Sequence, residues 1–267
     1  MKKENNMKWT RFELKERGKA AFQRNYWRSV LVAFILMLFV SGGGSAVANS
    51  WDQVTSFGTS DDSYYTEYFD EGDIGHFYYN SGTSIPGMLI NGIIAVVVGG
   101  AMIVGALLGI FLLNPLEVGG CRFFMENSEY QPTVGRLGFA FQKGMYGKTV
   151  LTLFLRKLFI GLWSLLLIVP GIVKSYEYRM VPYLLADDPN MTRQDAFRLS
   201  KELMYGQKWN TFVLDLSFLG WSLLSLCTCG LLAIFYVNPY VQATNAELFL
   251  ELKREYFASR QNAYPSM

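Results

Sequence analysis

The chain of 267 residues is 51% hydrophobic and 16% aromatic but only 17% charged, whereas ordinary soluble domains are about 25% charged. A net charge of +2 is uninformative as a total, but the 24 Lys and Arg cluster beside apolar segments rather than in a soluble patch, which argues against a nucleic-acid partner. One histidine (His76) and three cysteines (Cys121, Cys227 and Cys229) are too few and too scattered for a zinc centre, and neither a metal nor a cofactor is expected.

Residues 1–28 hold nine Lys/Arg against three Glu. They are expected to form a basic cytoplasmic interfacial helix on the inner membrane face, with Trp9, Phe12, Phe22 and Tyr26 on one arc that Lys15 and Lys19 interrupt. The alternative is a plain basic flank. Residues 29–267 then read as a single transmembrane helical domain. Trp27 to Ala48 is long enough to span, with Tyr26 and Trp27 suiting a retained anchor at its inner end; a signal peptide cut after Ala48 is the alternative. Residues 49–84 carry seven acidic side chains and no Lys or Arg, so they are expected outside as an acidic loop. Asp70 to Asp73 lacks the alternating spacing of a calcium loop.

From Ile85 to Leu116 there is no charge, a run of 32 residues. It is too long for one upright span, and a tilt or a kink at Pro115 is expected to absorb the excess. Residues 122–148 return to the cytoplasm. Gly144 to Thr149 has Gln142 where a phosphate loop needs its first glycine. Thr149 to Ala186 reads as a helical hairpin with an outer turn at Pro170-Gly171, because a single span would leave six Lys/Arg outside. Residues 192–205 make a cytoplasmic amphipathic helix opened by Thr192 and Asp195 and closed at Gly206. Phe212–Leu226 and Leu231–Leu250 form a second hairpin around Cys227-Thr-Cys-Gly230. All three cysteines are read as small core residues. The segment Ile110-Phe-Leu-Leu-Asn-Pro115 echoes Ile234-Phe-Tyr-Val-Asn-Pro239, hinting that the two helices occupy related positions.

The expected fold is therefore all-α: a polytopic helical membrane protein of about six transmembrane helices, kinked at Pro115, Pro182 and Pro239, plus the basic N-terminal helix. Both ends face the cytoplasm and membrane lipids surround it; another membrane protein is a possible partner.

Glu13-Leu14-Lys15 with Asn25-Tyr26-Trp27, then Leu167 to Val173, Ala186-Asp187-Asp188-Pro189, Leu214 to Trp221 and Asn238-Pro239-Tyr240, resemble the bacterial integral membrane family catalogued as domain of unknown function 975. The resemblance implies a plasma (inner) membrane location and no particular activity. More distantly, the Pro-Gly hairpin followed by an Ala-x-x-x-Ser helix is similar to the membrane domain of glycerophosphodiester phosphodiesterases.

Charges within apolar helices are the remaining candidates for function. Arg179, nine residues past Pro170, is expected about 14 Å below the outer boundary at 1.5 Å per residue, where Pro182 frees the Tyr178 carbonyl to take part of its charge. With Glu177 and Lys174 it makes a candidate ligand-binding group. Asp215 is expected to pair with Arg156 or Lys157, which count to the same depth. No catalytic residue is identified. The composition suits a non-enzymatic scaffold or accessory component of the cell envelope; a small transporter or lipid-handling protein using the buried charges is the alternative, and a membrane-embedded enzyme a second.

Overall fold

A computed structural model describes residues 9–37, 85–142 and 144–263. It is 86% helix, with no strand among the described residues. The acidic segment 49–84, the first eight residues and the cleavage site considered at Ala48 lie outside the described residues. The chain divides into two compact units, residues 1–41 with 109–267, and residues 42–108.

In the second unit, α3 spans Ile85–Leu108 without a charged residue, and its Ile93, Val96 and Val97 are exposed. The first unit holds α1 (Arg11–Arg24), α2 (Tyr26–Leu36), α4 (Asn114–Asn127), α5 (Tyr146–Leu166), α6 (Ile168–Glu177), α7 (Val181–Asp187), α8 (Arg193–Leu203), α9 (Lys208–Cys227) and α10 (Asn238–Ala263). Among the described residues, three stretches are long and apolar enough to cross a membrane: Val96–Asn127, Tyr146–Leu166 and Lys208–Cys227. The returning legs of the hairpins are not among them, the first because its helices are short and the second because α10 is rich in charge. One breaks at Tyr178–Met180 between α6 and α7, and the other contains a π-helical turn at Ala233–Val237.

The α1 helix starts at a capping box in which Thr10 accepts from the Glu13 amide and Glu13 accepts from the Thr10 amide. Its Leu14 and Phe22 are fully buried, and Arg17 bonds Glu251 on α10 at 2.9 Å. Of the aromatic arc expected to meet lipid, Phe12 is exposed, whereas Trp9 and Phe22 belong to the core. That core continues through Phe123 and Phe124 of α4, Leu184 of α7, and Leu248 and Phe249 of α10.

The first hairpin turns three residues earlier than the Pro-Gly pair. Leu167 alone is extended, with φ −154° and ψ 135°. Pro170 lies in the first turn of α6, where a missing N–H costs no helical bond. Gly171 is required by packing instead: a Cβ there would fall 2.6 Å from the Ser164 Cα on α5. The second hairpin turns at Cys229 and Gly230, with φ of 51° and 82°. Cys227 and Cys229 are exposed at this tip, and only Cys121 is a core residue as expected.

The two echoed segments adopt the same local structure. A π-helical turn occupies Gly109–Leu113 before Asn114-Pro115, and another occupies Ala233–Val237 before Asn238-Pro239. Each proline has no N–H to offer the carbonyl four residues earlier. The Phe111 carbonyl accepts instead from the Tyr146 hydroxyl at 2.8 Å, and the Phe235 carbonyl from the Tyr26 hydroxyl at 3.2 Å.

Candidate functional site

Asn114 and Glu117 lie one turn apart on α4, so both face α5. There Lys157 Nζ donates to Asn114 Oδ1 at 2.7 Å and lies 3.3 Å from Glu117 Oε2. Arg156 Nη1 donates to Glu117 Oε1 at 2.8 Å, and its Nε donates to the Tyr178 carbonyl at 2.9 Å. Pro182 denies that carbonyl the amide four residues on, as expected from the sequence; it accepts from the Val181 amide at 3.4 Å and from a guanidinium, which is that of Arg156 rather than Arg179.

Arg179 uses both Nη atoms on the carboxylate of Asp215, and Nη2 also donates to Asn245 Oδ1 at 2.8 Å. The Tyr176 hydroxyl donates to the same carboxylate at 2.8 Å. The expected pairing of Asp215 with Arg156 or Lys157 is therefore corrected: those two share Glu117. Counting depth from Pro170 obscured this. Measured from the actual turn at Leu167, Arg179 lies about 18 Å along its helix, and Asp215 lies about 20 Å from Thr228. Both pairs belong to one layer, and helix facing decides the partners.

Glu177, grouped with Arg179 and Lys174 as a ligand site, is held elsewhere. Its carboxylate receives Lys174 and Lys208 at 3.1 Å and Lys201 at 3.5 Å, while its carbonyl accepts from the buried Ser200 hydroxyl at 2.8 Å. This cluster fastens α8 and the start of α9 to α6. Of the three expected ligand residues, Arg179 alone lines the internal cavity.

That cavity has a volume of about 160 Å³ and is lined by Leu36, Glu117, Cys121, Arg156, Arg179, Pro182, Tyr183, Gln242 and Asn245. It lies among α2, α4, α5, α7 and α10, between the two ion-pair clusters. Asn114, Glu117, Cys121, Tyr183, Gln242 and Asn245 were not read from the sequence as site residues. The signal for four of them was present, since each Asn-Pro step is followed by polar residues on an otherwise apolar stretch. Among the described residues no group of His, Cys, Asp and Glu could hold a metal ion.

Long apolar helices joined by charges that pair across them are compatible with a membrane protein. Residues 165–255, about a third of the chain, match the family described as "Protein of unknown function (DUF975)". The match runs from the first hairpin tip into α10 and includes Arg179, Asp215, Gln242 and Asn245, so the resemblance read from the sequence is shown over this stretch. No curated protein and no solved structure matches the chain; the more distant likeness to the phosphodiesterase membrane domain rests on the sequence pattern alone.

Proposed function

We propose that the chain is a multi-pass protein of the bacterial plasma membrane, with six spans kinked at prolines and both ends cytoplasmic, acting as a non-enzymatic scaffold or accessory component of the cell envelope. The observation that carries the membrane reading is the first hairpin tip. Leu165, Leu166, Leu167, Ile168 and Val169 are consecutive and 61–86% exposed. In water such a tip would leave apolar surface uncovered at about 25 cal/mol per Å², whereas lipid accepts it. The scaffold reading is supported by how the intramembrane charges are used: Asp215 closes on Arg179, and Glu117 on Arg156 and Lys157. The polar cavity favours a second reading, in which the protein handles a small anion or a lipid headgroup.

Thiol labelling of intact cells tests the topology. Cys227 and Cys229 should react with an impermeant reagent from outside, whereas Arg198→Cys, at a site whose side chain is 71% exposed, should react only after permeabilisation. Outside labelling at residue 198 would sink the six-span arrangement. Purification in mild detergent should bring down a stoichiometric protein partner; a retained lipid without one would favour the second reading.

A further inference from the structure

Two helix pairs in the first unit are built alike. In one, α2 crosses the π-helical turn that leads into α10; in the other, α5 crosses the π-helical turn that leads into α4. Tyr26 and Tyr146 open α2 and α5, and each caps the carbonyl left open by the proline opposite. Eleven residues after each tyrosine, Met37 Sδ accepts from the Asn238 amide at 3.0 Å and Lys157 donates to the Asn114 oxygen at 2.7 Å. These anchors set a correspondence. Residues of α2 map onto α5, Tyr26 on Tyr146, and residues of α4 onto α10, Pro115 on Pro239.

Under this correspondence Leu36 answers to Arg156, and Cys121 answers to Asn245. All four line the internal cavity, so it lies between the two pairs, with both members of each equivalence in its wall. The charged residues are confined to one pair: Arg156, Lys157 and Glu117 stand where the other pair has Leu36, Met37 and Val241. The same crossing is thus made once with apolar side chains and once with an ion cluster. Packing does not demand the charges, and a buried ion pair is generally no more stabilising than well-packed apolar residues of similar volume.

In the cavity wall stand two guanidinium groups, Arg156 and Arg179, and one carboxylate, Glu117; Lys157 and Asp215 lie outside the wall, paired with Glu117 and Arg179, and the five groups together carry one positive charge. At roughly 30 Å³ per water, its 160 Å³ has the capacity of about five waters, enough for a phosphate group. Planar guanidinium donors suit phosphate oxygens. We infer that this cavity binds a singly charged phosphate group, either free or as the headgroup of an anionic lipid. The inference names the ligand class for the second reading above. Its test is separate from the labelling test of membrane topology.

The test uses the full-length protein in neutral detergent and in phosphatidylglycerol nanodiscs, beside the triple variant E117V/R156L/K157M, which installs the counterpart residues. Wild type should be stabilised by inorganic phosphate over chloride at equal ionic strength, or should retain phosphatidylglycerol in native mass spectrometry. The first result identifies free phosphate as the source and the second a lipid headgroup. The variant should keep a melting temperature within a few degrees of wild type and lose binding at least ten-fold. If wild type responds to neither probe, or the variant binds as well as wild type, the site does not exist. A variant that fails to fold would equally overturn the inference, because the charges would then be required by packing.

Discussion

Asp215→Ala removes the acceptor of three donors at once: Arg179 Nη1, Arg179 Nη2 and the Tyr176 hydroxyl. The side chains of Arg179 and Asp215 are 20% and 32% exposed, so the pair is neither dry nor fully screened. Breaking a buried pair costs about 3–5 kcal/mol, and an exposed one contributes about 0–1 kcal/mol. An intermediate loss of about 2–3 kcal/mol is expected, with Asn245 still holding one Nη of the stranded guanidinium. At about 2–4 °C per kcal/mol for a chain of this size, the melting temperature in detergent should fall by roughly 4–12 °C. Double-mutant cycles then locate the partner. Asp215 should couple to Arg179 by about 1 kcal/mol or more and to Arg156 or Lys157 by under about 0.5 kcal/mol. A stronger coupling to either residue of α5, or a melting temperature indifferent to Asp215→Ala, would refute the arrangement of charges described above.

The tyrosine caps predict that Tyr26→Phe and Tyr146→Phe each cost about 1–2 kcal/mol, because a carbonyl is left unsatisfied, and that the two losses add; thermal melts of both single variants and the double variant check this. Gly171→Ala should destabilise by about 1–3 kcal/mol through its clash with Ser164. Gly161→Ala, on the same hairpin with nothing within 4 Å, should be neutral or stabilising by up to about 1 kcal/mol, and equal behaviour of the two in a melt would count against the close approach. Thr192→Ala removes the cap on the Asp195 amide and should cost about 1 kcal/mol, read as earlier proteolysis of α8.

Much of the helical plan was legible because its signals are local. Thr192 and Asp195 announced the start of α8, the charge-free run announced α3, and the two Asn-Pro segments hinted that their helices occupy related positions. Partners across helices were less accessible. Depth along a helix follows from residue counting, but the face on which Arg156 or Arg179 emerges depends on where the hairpin turns, and Pro170-Gly171 misplaced that turn by three residues. A proline in the first turn of a helix and a proline at a loop have the same appearance in sequence. Glu117 was passed over for a related reason: it follows a continuous apolar run and reads as its cytoplasmic end, although its carboxylate serves two cations of another helix.

The exchange of tyrosine caps makes each half of the chain depend on the other. Tyr26 lies in the N-terminal half and mends the backbone at Phe235, while Tyr146 lies in the C-terminal half and mends it at Phe111. Neither half repairs its own gap. Each half lends one hydroxyl to the other, so the two halves are stabilised jointly. The reciprocity holds although the positions around it differ, one crossing carrying Leu36 and Met37 and the other Arg156 and Lys157. Fragments separated in the connection at residues 128–133 should therefore find each other when produced together.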